Sequence, residues 1–186
     1  MKAPNRDQHV RENRMAGYRI DWTQECRPTE GASVPRTRWG PVGVIVAETD
    51  SELREVLESS SCVAVVGIKD LETADAYRIP QYRQAHGYRI LPVNPKLDSV
   101  LGHPAVSSLT DIDEPVDIVN LFRATDHIPD HVDEILTMES PPKVVWMQLG
   151  IHNGEAAARL RGAGIRVVQD RCIMVEHKRL LGKNAA

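Results

Sequence analysis

Ser61-Cys-Val-Ala-Val-Val-Gly67 is an unbroken apolar run closed by the only glycine between Gly43 and Gly87. A strand with one wet face alternates apolar and polar residues, whereas a continuous run suits a strand covered on both faces, as in the middle of a parallel sheet. Three further runs resemble it: Tyr88-Arg-Ile-Leu-Pro-Val93, Val116-Asp-Ile-Val-Asn-Leu-Phe122 and Lys143-Val-Val-Trp-Met-Gln-Leu149. A shorter fifth, Arg166-Val-Val-Gln169, follows Gly164.

Helical stretches separate these runs. Asp75 to His86 ends at Gly87, a C-cap signal; Thr125 to Met138 forms a second; Asn153 to Ala163 forms a third, with Asn153 as N-cap and Gly164 near its end. Upstream, Thr49 and Glu52 have capping-box spacing before Leu53, Val56 and Leu57, which predicts a short amphipathic lead-in helix. Strands alternating with helices give an α/β fold: a Rossmann-like, doubly wound parallel sheet of about five strands between two helical layers. Ligands of such sheets bind outside the carboxyl ends of the strands, near the point where strand order reverses.

Residues 1–48 differ in character. Arg and Pro punctuate them, apolar periodicity is absent, and Trp22 and Trp39 sit among turn formers. They read as an irregular arm preceding a domain at 49–186. Residues 1–40 carry eight Lys/Arg against five Asp/Glu in a chain of net charge −3, so the arm is basic and the remainder acidic. The whole therefore lacks the basic field that draws proteins onto nucleic acid or anionic membranes. No apolar stretch approaches a membrane span or a signal peptide, and the expected location is the cytoplasm. Cys26, Cys62 and Cys172 lie far apart without CxxC spacing, which predicts reduced thiols rather than a disulfide framework or zinc site.

The strand ends carry the functional signal. Gly67-Ile-Lys-Asp-Leu-Glu-Thr-Ala-Asp75 is neither a GxGxxG fingerprint nor a P-loop. Its glycine nevertheless allows close approach of a ligand to the backbone, Thr73 or Asp75 is placed to cap the next helix, and that helix offers N–H groups to a phosphate. An NAD site carries an acidic residue at the end of its second strand. Here the chain reads Val93-Asn94-Pro95-Lys96, and a lysine attracts a phosphorylated ribose where a carboxylate would repel it. Coenzyme A with its 3′-phosphate and NADP with its 2′-phosphate both satisfy this, with Val93 and Pro95 as an apolar ledge for adenine. Phe122-Arg123 and Leu149-Gly150 end the third and fourth main strands and face the same crevice.

Taken in order, several segments resemble the small stand-alone CoA-binding proteins related to the CoA-binding domain of the succinyl-CoA synthetase α subunit. They are Val63–Gly67, Tyr77-Arg-Ile-Pro-Gln-Tyr82, His86–Lys96, Glu114–Val119, Phe122-Arg123, Val145–Ile151 and Asp170–Leu180. The resemblance spans about residues 53–181. It implies a coenzyme A site built from Gly67, Ile68, Lys69, Val93, Asn94, Pro95, Lys96, Phe122, Arg123, Leu149 and Gly150. The first loop departs from the family pattern, since Asp70, Glu72 and Asp75 bring three carboxylates near a pyrophosphate. Lys69 and the helix dipole oppose them.

Catalytic candidates are sparse. Cys172 after Asp170-Arg171 could begin a helix as a thiolate, or pack beneath it while Asp170 pairs with Arg171. His127 and His131 share a helical spacing that, with Asp130 or Glu134, suits a metal, though a solvated face is the simpler reading. His177 in Glu176-His-Lys-Arg179 has the type to titrate near neutrality, but reads as a charged helix end. The ligases that share this fold need an ATP-grasp partner and a phosphorylated histidine, for which the chain has no room. The sequence thus favours a non-catalytic coenzyme A module, acting on its own, as a homodimer or with a protein partner. NADP binding, or an interaction domain with a vestigial nucleotide site, are the alternatives.

Overall fold

Hydrogen bonding closes the lead-in helix as the spacing predicts. In the computed structural model, which describes residues 48–182, the Thr49 hydroxyl accepts from the Glu52 N–H and the Glu52 carboxylate accepts from the Thr49 N–H, starting α1 (Asp50–Glu58). The chain continues as β1 (Cys62–Val66), α2 (Asp75–Ala85), β2 (Arg89–Val93), β3 (Ser99–Val100) and β4 (His103–Pro104). Then come β5 (Ile118–Leu121), α3 (Ile128–Thr137), β6 (Val144–Met147), α4 (Gly154–Gly162), β7 (Arg166–Val168) and α5 (Ile173–Leu181). The expected basic arm lies outside the described residues.

The five main strands form one parallel sheet in the order β2-β1-β5-β6-β7. This is the Rossmann-like α/β arrangement, and strand order reverses between β1 and β5. Every residue of β1, β5 and β6 is buried, which is why these strands lack polar alternation. Side-chain alternation divides the core in two. Ala64, Val66, Val119, Leu121, Val145 and Met147 pack under α3 and α4. Val63, Val65, Ile118, Val144 and Trp146 pack under α1, α2 and α5. Pro92, with no N–H for a ladder, is tolerated because β2 is an edge strand of the main sheet.

The end of the sheet where the strands begin is stitched by Asp117. Its carboxylate accepts from the N–H groups of Ser61 and Cys62, at 2.8 and 3.0 Å, and meets Lys143 at 2.8 Å. Burial opposes its charge, yet the lysine and the two N–H donors hold its carboxyl below the ordinary range.

Several local expectations need correction. The helix expected from Thr125 is split: Thr125–His127 is a 3₁₀ turn and α3 begins at Ile128 with Pro129 in its first turn, where a proline's missing donor is harmless. The N-cap of α2 is Ala74, so neither Thr73 nor Asp75 caps it. The β3–β4 hairpin has no counterpart in the sequence reading. Its two-residue turn places Leu101 at φ 54° and Gly102 at φ 81°, and a leucine gives no signal for a left-handed turn position. Cys172 is a free thiol, Cys62 is buried in β1, and Cys26 lies outside the described residues.

Candidate functional site

The reversal point forms around Gly67. Its φ is +78°, and a Cβ there would meet the Phe122 carbonyl oxygen at 2.5 Å and the Arg123 Cδ at 2.9 Å. Only glycine lets β1 and β5 converge so closely as their loops part. The Gly67 N–H donates to the Val93 carbonyl at 3.0 Å, and the Phe122 N–H donates to the Val66 carbonyl at 2.9 Å. The carboxyl ends of β2, β1 and β5 therefore meet at one place.

Asn94 holds this junction with both ends of its side chain. Nδ2 donates to the Ile68 carbonyl at 2.6 Å, and Oδ1 accepts from the Lys96 N–H at 2.9 Å. The second bond is an Asx turn that sets the direction of the chain through Pro95 and Lys96. Both of these are exposed, as are Lys69 and Arg123. Three cations thus stand on the loops after β1, β2 and β5.

The helix after β1 starts without a side-chain acceptor, because alanine is its N-cap. The turn and helix after β5 are likewise uncapped by side chains, whereas α1 and α4 are capped by Thr49 and Asn153. The Asp75 and Ala76 N–H groups of α2 are in this way without a side-chain acceptor, whereas after β5 the His127 and Ile128 N–H groups donate to the Ala124 and Thr125 carbonyls and Pro129 has none. Of the three acidic residues in this loop and the start of α2, Asp75 turns toward Arg78 at 3.5 Å. Asp70 and Glu72 lie close enough to Tyr77 to add to burial in raising its phenol above the ordinary value. The acidic charge is partly directed away from the junction.

The expected site residues fall into distinct groups. Gly67, Asn94, Pro95, Lys96, Lys69, Phe122 and Arg123 come together at the junction. Ile68 is fully buried and Val93 is 3% exposed, both with side chains in the core, so they present only main chain to a ligand, and the adenine ledge loses Val93. Leu149 and Gly150 follow β6, one strand farther along. Leu149 is 69% exposed, and the Gly150 N–H is taken by the Asp170 carboxylate at 2.6 Å.

Three features escaped the sequence reading. A buried pair, Gln148 Nε2 donating to Asn120 Oδ1 at 2.9 Å, lies beneath the ends of β5 and β6. The stem of Arg123 folds over Gly67. Asp170, at φ 53°, ties the loop after β7 to that after β6 by accepting from Gly150 and donating its own N–H to the Ile151 carbonyl. Polar residues inside apolar runs, Asn120 and Gln148, were the one available signal.

The catalytic candidates sit elsewhere. Asp170 does not pair with Arg171, which faces Glu176 at 3.5 Å. Cys172 is the N-cap of α5 and packs, half-buried, against the core. His127 ends the 3₁₀ turn and is the N-cap of α3, on which His131 lies. Glu134 meets His131 at 3.5 Å and accepts from the Leu109 N–H, bracing the turn at Leu109–Asp111. Among the described residues no group of three or more His, Cys, Asp or Glu could hold a metal ion. His177 is not a solvated helix end: it is 7% exposed, and burial, with Arg83 and His86 nearby, pushes its pKa down to about 4. No helix among the described residues is long and apolar enough to cross a membrane.

Comparison with known proteins finds similar chains. A Bacillus subtilis protein, YneT, described as uncharacterized, is 42% identical over 127 residues, 68% of this chain and 93% of its own. The structure titled cell-free ID.343 from Thermus thermophilus is 44% identical with a TM-score of 0.68, covering 72% of this chain and 99% of that one. A hypothetical protein from Pyrococcus horikoshii is 35% identical with a TM-score of 0.70, covering 77% and 100%. A dinucleotide-forming acetyl-coenzyme A synthetase from Ca. Korarchaeum cryptofilum shares the fold alone, at 20% identity and a TM-score of 0.52 over 59% of this chain and 26% of its own. The CoA binding domain family matches residues 61–178, the stretch that contains the whole junction, and the chain belongs to that family.

Proposed function

We propose that this protein binds coenzyme A at the junction of β1, β2 and β5 and performs no chemistry by itself. The observation that carries the reading is the convergence of Gly67, Asn94 and Lys96, in a chain of the CoA-binding family. Gly67 admits the nucleotide to the backbone, the uncapped start of α2 receives the pyrophosphate, and Lys96 faces the ribose 3′-phosphate. Lys69 and Arg123 offset the acidic first loop. Pro95 and the exposed stem of Arg123 supply the apolar contact for adenine. The pantetheine arm and its thiol, or an acyl group on it, extend outward past Leu149 and remain accessible to a second protein.

Thermal denaturation with added nucleotides tests this. A ligand that binds only the folded state stabilises it by RT ln(1 + [L]/Kd), about 2.7 kcal/mol at a hundredfold excess over Kd. The expected order is coenzyme A first, dephospho-CoA second, with NAD and NADP giving little. Lys96→Ala should erase the difference between the two coenzyme A forms and leave the weaker response in place. A larger response to NADP than to coenzyme A would overturn the proposal.

A further inference from the structure

One buried charge has no part in the junction. Arg83 of α2 is 1% exposed, and among the described residues its Nε, Nη1 and Nη2 have no hydrogen-bond partner. Its guanidinium carbon stands 3.2 Å from the centroid of the Tyr88 ring, and burial lowers its pKa to about 10. A buried cation without a counter-charge is strongly unfavourable, and a single aromatic face compensates for only part of the lost hydration.

Beside this group lies a hollow of about 310 Å³ at the opposite end of the sheet from the junction, where Ser61 leads into β1 and Tyr88 into β2. Tyr88, His86 and His177 line it, with ring centroids 5.2 Å apart for His86 and His177 and 5.6 Å for Tyr88 and His177. The Tyr82 hydroxyl meets His177 Nδ1 at 3.0 Å. With the phenol donating there, the imidazole proton sits on Nε2, a donor with no partner among the described residues. The hollow thus combines a neutral N–H donor at its wall with a desolvated cation one ring behind it.

We propose that this hollow is a second ligand site, for a small oxyanion, phosphate or carboxylate, that takes the His177 N–H and neutralises Arg83. The other charges that face the cluster set its strength. Glu58 on the rim opposes an anion, although it also meets Arg54 at 3.7 Å. Lys178, 4.8 Å from the Tyr82 ring, adds positive potential. Arg83 does not line the hollow, and its field reaches an anion there across the Tyr88 ring.

The test uses the full chain, inorganic phosphate as the probe, and the imidazole proton signals of His177 and His86 as the local readout, against chloride at equal ionic strength. Phosphate should shift the His177 signal saturably and raise its apparent pKa, since a bound anion favours the imidazolium. Arg83→Met should weaken that response about tenfold, the loss of one nearby positive charge, while raising the melting temperature in phosphate-free buffer, because an apolar chain replaces an uncompensated charge. Arg83→Lys should keep the response. Lys96→Ala should also keep it, which separates this site from the coenzyme A junction and makes the two proposals fail independently. No saturable shift at His177, a response retained in Arg83→Met, or a lower melting temperature for Arg83→Met would each overturn the inference.

Discussion

Gly67 and Asn94 carry the junction at the scale of single residues. Gly67 needs a left-handed backbone and lies against the Phe122 carbonyl, so Gly67→Ala meets both strain and overlap. Left-handed strain contributes about 1–2 kcal/mol and the overlap adds to it. A loss of at least about 2 kcal/mol is expected in urea denaturation, together with loss of coenzyme A binding. Asn94→Ala removes the bonds to Ile68 and Lys96 and should lower stability by about 1 kcal/mol. It should also weaken coenzyme A more than that figure alone implies, since the direction of Lys96 is set by the same side chain.

At the scale of elements, the uncapped start of α2 sets fold stability against ligand affinity. Ala74→Ser supplies the missing acceptor and should stabilise the protein by about 1 kcal/mol. The same serine competes for first-turn N–H groups, so the coenzyme A Kd should rise. Stabilisation without weaker binding would show that the pyrophosphate does not use this helix. Element legibility followed burial. The central strands were readable because both of their faces are covered, and α1 and α4 because Thr49, Glu52 and Asn153 are cap residues of strong preference. The β3–β4 hairpin was not readable, because the sheet and its neighbours hold Leu101 in a conformation its side chain disfavours.

For the molecule as a whole, His177 couples the packing of α5 on α2 to pH. Its folded pKa is about 4, below the ordinary value near 6.5. The unfolded chain therefore gains a proton as pH falls through about 6.5, while the folded chain stays neutral until about 4. Stability should decline across that window, by at most about 3 kcal/mol, and be insensitive to this group above it. His177→Gln should flatten the decline between pH 6.5 and 4 in urea denaturation; an unchanged slope would show that the ring does not stay neutral. Asp117, whose folded pKa is depressed, contributes stability at higher pH that is lost only as pH falls through its lowered value.

The parallel sheet and the placing of its helices were legible in the chain alone, and so was the nearness of Gly67 and Asn94 at the strand ends. Apolar runs, cap residues and turn chemistry are local, and each acts within a few positions of its own place in the chain. What tertiary structure alone decided is which side chains meet. It sent Ile68 and Val93 into the core, gave the Gly150 N–H to Asp170, and buried Arg83 of α2 and His177 of α5 against the same Tyr88 ring. Burial and partnership between distant residues depend on how layers pack, and no pattern within a single segment encodes that.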